Sequence, residues 1–139
     1  MKKTIAKLLS IVLVLSMLLP CVSAHESSPS ITPLRYSKVI EFSIDLKITS
    51  RGYAECMGEL QLRSGATANM TVTLLKSTDQ ATWEEVDSWS DSGSSWLMVD
   101  DGCYIMSGYY YATKISADVY GSDGSFIEHI SSHSNIKYY

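Results

Sequence analysis

The chain has 139 residues, 45% of them hydrophobic and 10% aromatic, with 11 Lys and Arg against 15 Asp and Glu for a formal charge of −4. That length suits one domain with a modest core. An acidic balance scattered along the chain sets it against anionic partners, so no nucleic acid partner is expected.

The first residues read as a targeting segment. Lys2, Lys3 and Lys7 make a positive start, Leu8 to Leu19 is an apolar run broken only by Ser10 and Ser16, and Val22-Ser23-Ala24 places short residues before a cleavage point. This pattern is that of a secretory signal peptide over residues 1–24, cut after Ala24. The apolar run falls well short of the about 20 residues of a spanning helix, and Pro20 stands before Cys21 where a lipoprotein needs a small residue. No membrane span is expected, and the location is secreted or extracellular. Cleavage would remove three lysines and no acid, leaving 115 residues with 8 basic against 15 acidic side chains, or −7. It would also leave Cys56 and Cys103 as an even pair in a compartment that permits oxidation.

Residues 25–37, HESSPSITPLRYS, are rich in Ser and Pro and read as a flexible lead-in to a domain over 38–139. From there the period becomes two. Ile40, Phe42, Ile44, Leu46 and Ile48 alternate with polar residues, which predicts a strand with one buried and one wet face. Ser50-Arg51-Gly52 turns the chain, and Ala54, Cys56, Leu60 and Leu62 return on the same parity with Gly58 between them. The resulting hairpin sets Ile48 against Ala54 and Leu46 against Cys56.

Met70, Val72 and Leu74 mark a third strand, and a polar loop over Ser77 to Thr82 follows. Trp83, Val86 and Trp89 come at spacings of three, so either a bulge re-aims one ring or the two rings lie on different faces. After a loop at Ser90 to Ser95, Leu97 and Val99 point one way, Asp100-Asp101-Gly102 makes a kink or bulge, and Cys103 and Ile105 resume the parity. Pairing Cys56 with Cys103 would set Ala54 against Ile105, Leu60 against Val99 and Leu62 against Leu97, all facing the core. A Cys56–Cys103 disulfide is expected on that register. Two buried free thiols are the alternative, because directly opposed cross-strand disulfides are strained.

Gly108 opens the last long strand, Tyr109 to Tyr120. Tyr109, Tyr111, Thr113, Ile115, Ala117 and Val119 share the core face, and Tyr110, Lys114, Ser116, Asp118 and Tyr120 the other. A Tyr near the start of the penultimate strand of a sandwich often bonds back to an upstream loop. Gly121-Ser122-Asp123-Gly124 is a hairpin turn, and a final strand spans about Phe126 to Ser132. If Val119 pairs with Phe126, Glu128 turns inward beside Ala117; a bulge near the turn, at a position the residues leave open, would relieve that. About seven strands with no helical period imply an all-β fold, a single antiparallel two-sheet sandwich of immunoglobulin or fibronectin type.

The order of four short segments carries a resemblance. Ala54-Glu55-Cys56, Leu74-Leu75-Lys76, Trp83-Glu84-Glu85-Val86-Asp87-Ser88-Trp89-Ser90 and Gly108-Tyr109-Tyr110-Tyr111 span most of residues 38–132. In them the chain resembles a group of small secreted proteins of Gram-positive bacteria, many from gut Firmicutes, that share an uncharacterised β-sandwich domain. The resemblance implies fold and location, and it brings no catalytic residue and no ligand.

A search for chemistry is mostly negative. His129 and His133 share a strand face but lack an apparent third metal ligand. Asp87, Asp91, Asp100 and Asp101 could gather at one end of a sandwich, yet Asp91-Ser92-Gly93 and Asp100-Asp101-Gly102 are accounted for as turns. No nucleophile elbow, reactive cysteine context or phosphate loop occurs. No catalytic residue, metal or cofactor is therefore assigned. Trp83, Trp96, Tyr110 and Tyr120 remain as candidate contact residues, since aromatic faces stack on sugar rings and on protein partners. The expectation is a secreted, non-catalytic binding module for a protein or glycan. The alternatives are a small antibacterial or signalling effector and a secreted hydrolase.

Overall fold

The computed structural model describes residues 36–139. The expected signal peptide lies outside them, as does all of the expected lead-in except Tyr36 and Ser37. The described residues form eight strands: β1 (Val39–Ile48), β2 (Tyr53–Leu62), β3 (Thr67–Ser77), β4 (Glu84–Ser94), β5 (Trp96–Tyr104), β6 (Tyr110–Tyr120), β7 (Phe126–His133) and β8 (Lys137–Tyr138). One sheet has the order β1-β2-β5 and the other β4-β3-β6-β7, with β8 paired to β6, and every pairing is antiparallel. This is an all-β two-sheet sandwich, with one short strand more than the seven expected. That strand lacks a periodic signal because it is two residues long.

The alternation read from the sequence builds the core. Leu46, Cys56, Leu60 and Leu97 from the three-stranded sheet face Met70, Val72, Leu74, Ile115, Val119 and Ile130 from the larger one, all buried. Each large aliphatic side chain buried in this way contributes roughly 1.5–3 kcal/mol. The β1–β2 hairpin has the expected register, with Ile48 opposite Ala54 and Leu46 opposite Cys56. Tyr111 is 1% exposed, and its hydroxyl donates to the Met106 carbonyl at 2.7 Å, five residues back, as expected for a tyrosine that fastens the preceding loop.

Three bulges change local details. A register shift between Val39 and Glu41 turns Val39 inward and leaves Ile40 51% exposed, so the inward alternation of β1 does not reach back to Ile40. A shift between Leu74 and Leu75 leaves Val86 as the extra residue of β4. It separates Trp89, which packs on the core opposite Val72, from Trp83, which precedes the strand. A bulge does stand between the two rings, as one reading of the Trp spacing has it.

The third shift lies between Val119 and Tyr120 and leaves Ile127 unpaired. It moves Glu128 two residues along β6 towards the turn, from Ala117 to Val119, where it stays on the inward parity but is only half-buried, and puts Ile130 beside Ala117. At that flank the Glu128 carboxylate accepts the backbone N–H groups of Ser37 at 2.9 Å and Lys38 at 2.7 Å. The acid that did not suit the core thus ties β7 of one sheet to the start of β1 in the other.

The expected Cys56–Cys103 disulfide is not formed: both cysteines are free. Cys103 stands opposite Ala54 and Cys56 opposite Asp101, while Leu60 meets Leu97 and Gly58 meets Val99. The register is therefore two residues away from the expected one. A slip of two keeps every side chain on its face, so the inward pattern of Leu60, Leu97 and Val99 survives while the two thiols become diagonal neighbours. Diagonal positions on neighbouring antiparallel strands are about 7–8 Å apart, beyond ordinary disulfide geometry.

Candidate functional site

The outer face of the three-stranded sheet is a surface where apolar and charged groups stand together, uncovered by the described residues. Strand pairing sets its rows. Gln61 lies between Glu41 and Trp96, Glu59 between Ser43 and Met98, Met57 between Asp45 and Asp100, Glu55 between Lys47 and Gly102, and Tyr53 beside Tyr104. Trp96 is 62% exposed and Tyr104 76%. The rings of Tyr53 and Tyr104 meet edge to face at 5.1 Å between centroids.

Two shallow hollows mark this face. One, of about 130 Å³, is lined by Glu41, Phe42, Ser43, Glu59, Gln61 and Trp96. The other, also about 130 Å³, is lined by Asp45, Lys47, Glu55, Met57 and Asp100. Neither approaches the 300–1,000 Å³ typical of a pocket that encloses a small molecule. Five carboxylates, Glu41, Asp45, Glu55, Glu59 and Asp100, share the face with the single cation Lys47. The ion pairs among the described residues, Lys76–Glu84 and His129–Asp118, both belong to the other sheet.

The four candidate contact residues do not come together. Trp96 alone stands on this face. Tyr110 and Tyr120 lie on the outer face of the larger sheet, half-buried, the first against Tyr138 at 5.1 Å and the second against Phe126 at 6.0 Å. Trp83 is half-buried in the β3–β4 loop, where its indole N–H donates to the Gln80 carbonyl at 3.2 Å. The same loop is held by Asp79, whose carboxylate accepts the N–H groups of Thr82 and Ala81 and the Ser77 hydroxyl. Those bonds, led by the one from Thr82, hold the Asp79 carboxyl below its ordinary pKa. The sequence reading passed over Met57, Met98, Tyr53 and Tyr104. Their signal was the polar parity of β2 and β5, on which a large apolar residue is out of place.

Elsewhere the chemistry is sparse. Burial pushes the Cys56 thiol up to about 11, Thr113 offsets part of this, and Cys103, Asp87 and Asp101 add to it. The Cys103 thiol is raised as well, first by burial and then by Asp87 and Asp101. Both are poor nucleophiles at neutral pH, because the thiolate is the reactive form. Thr113 Oγ1 is buried without a hydrogen bond of good geometry.

On the outer face of the larger sheet, His129 Nδ1 lies 2.7 Å from Asp118 Oδ1, with both side chains about half exposed. His133 lies four residues, or two pleat repeats, further along β7, opposite Lys114. Asp91 does not join Asp87, Asp100 and Asp101 around an ion: its Oδ2 accepts the Met98 N–H at 3.0 Å. Among the described residues no three His, Cys, Asp or Glu side chains converge closely enough to hold a metal, and no helix is long and apolar enough to cross a membrane. Comparison of the chain with protein-family models and with curated proteins finds no match.

Proposed function

We propose that the chain is a secreted binding module that works by contact, without catalysis, through the outer face of its three-stranded sheet. The observation that carries this reading is Trp96. A tryptophan 62% exposed on an edge strand, beside a hollow floored by Gln61 and Glu59, has no role in the core and is placed to stack on a partner. Secretion is supported by the basic start, apolar run and short residues of positions 1–24. The order β1-β2-β5 against β4-β3-β6-β7 supports a fibronectin-like form of the sandwich, with the fourth strand paired to the third. Membership among small secreted proteins of Gram-positive bacteria rests on the four segments that carry the resemblance.

The test is a pull-down and glycan-array screen followed by Trp96→Ala. The variant is expected to keep its stability within about 0.5 kcal/mol, as exposed substitutions do, and to weaken binding of the captured partner about tenfold or more. Unchanged binding with Trp96 removed would turn the reading down. A hydrolase is the second reading. It is favoured by the His129–Asp118 pair, which leaves Nε2 free to act as a base. None of the hollows described above is lined by either residue.

A further inference from the structure

We infer that the outer face of the β1-β2-β5 sheet docks an extended peptide segment bearing lysine or arginine side chains. This rests on the reading of that face as the contact surface and goes on to name the partner's chemistry.

Met57 lies at the middle of the face. Asp45 and Asp100 flank it on the neighbouring strands, and Glu55 and Glu59 stand two residues either side of it on β2. A thioether is thus bordered on four sides by carboxylates. These do not converge on a point, and among the described residues no set of acids is close enough to hold a metal ion. A group that suits the arrangement has an apolar stem to lie on Met57 and a cationic end to reach a carboxylate. Lysine and arginine side chains have that form. Met98 and Trp96 continue the apolar surface along β5, and Trp96 offers a ring face that attracts a cation.

The spacing of the hollows argues for a chain rather than a single small cation. One is centred on Glu59 and Gln61, the other on Glu55 and Met57. Four residues along β2 separate them, about 13 Å, which matches side chains four apart on another extended strand. Five carboxylates against Lys47 leave the face strongly negative, and its acids take no part in the ion pairs of the described residues. A positive partner is therefore complementary, and an anionic one is repelled. The carboxylates, of which Glu41, Glu55 and Asp100 are exposed and Asp45 and Glu59 half-buried, give orientation and association rate, while Trp96 and the two methionines supply the buried area.

The experiment uses the full chain and four probes: a ten-residue peptide alternating lysine and serine, the same peptide with glutamate for lysine, spermidine, and a neutral glucose hexamer. The lysine peptide is expected to bind, and the glutamate peptide not to. Binding should weaken with added salt. Glu55→Gln with Glu59→Gln should raise Kd about tenfold at low salt, and Glu84→Gln with Glu85→Gln about twofold or less. Both pairs remove two charges, so a difference between them locates the contact on this face and rules out attraction to net charge. Equal losses would overturn the proposal, as would spermidine binding as tightly as the peptide. If the glucose hexamer binds, Trp96→Ala abolishes that binding and the lysine peptide is ignored, the contact face stands and its cationic partner falls. If Trp96→Ala changes binding of none of the probes, and of no partner captured in the screen, both fall. Circular dichroism of each variant confirms that the sandwich is intact.

Discussion

Tyr111 and its neighbour Tyr110 differ by one step along β6 and face opposite ways. The Tyr111 ring is buried, and its hydroxyl is spent on the Met106 carbonyl; Tyr110 leans on Tyr138 at the surface. Tyr111→Ala should therefore cost about 3–5 kcal/mol, Tyr111→Phe about 1 kcal/mol, and Tyr110→Ala distinctly less than Tyr111→Ala, all read from urea unfolding. Equal losses at 110 and 111 would contradict the face assignment. Cys56 predicts a pH effect. Its thiol is raised from 9.0 to about 11 in the folded protein, so folding favours the protonated form. That stabilisation is complete below pH 9 and is lost as pH rises towards 11, a fall of roughly 2–3 kcal/mol. Tyr53 and Tyr111, also raised, fall off in alkali too. The alkaline limb of Cys56→Ala, compared with that of the unaltered chain, isolates the thiol: it should be shallower. Cys56 and Cys103 are both expected to react as free thiols in the denatured, unreduced protein.

Between strands, backbone approach sets the strictest limits. A methyl group on Gly102 would run into the Ala54 carbonyl, and one on Gly58 would meet Val72 Cγ2 across the sandwich. Gly102→Ala and Gly58→Ala should each destabilise by roughly 1–3 kcal/mol, seen in thermal unfolding. Val72→Ala should recover part of the loss for Gly58→Ala and none for Gly102→Ala, because a side chain can be trimmed and a carbonyl cannot. These positions also mark how far the sequence could be read. Period two gave the strands and their inward faces, because burial of one face leaves a direct trace in residue type. It could not separate two registers of β2 and β5 that differ by two, since both bury Leu60, Leu97 and Val99, and the Cys56–Cys103 pairing chose the other one. Bulges at Ile40, Val86 and Ile127 were only partly visible, through broken spacing at Trp83–Trp89 and the misfit of Glu128. The proposed contact face was legible only as Trp96. Which sheet a strand joins is decided by pairing, and alternation does not record it, so Tyr110 and Tyr120 could not be told from Trp96 as lying on the opposite side.

Across the whole described domain, the two sheets are joined differently at their two flanks. On one, β4 runs into β5 through Ser95 alone, which takes a φ of 70°, and the Asp91 carboxylate holds the Met98 N–H. On the other, β1 and β7 are separate strands, held together at the start of β1 by the Glu128 carboxylate on Ser37 and Lys38. The first flank is a covalent spine; the second is a clasp. The molecule should therefore open like a book, from the β1–β7 margin towards β4–β5. Amide hydrogen exchange is the way to see it: protons of β1 and β7 should be the first to exchange and those of β3 the last. Glu128→Gln keeps the shape of the clasp but removes its charge, and should speed exchange at residues 37–42 while leaving β4 and β5 unchanged. Uniform acceleration in every strand would mean that the sheets part all at once. A fold built this way would yield to mechanical force according to where it is pulled, giving readily at its first strand and resisting at the bend around Ser95.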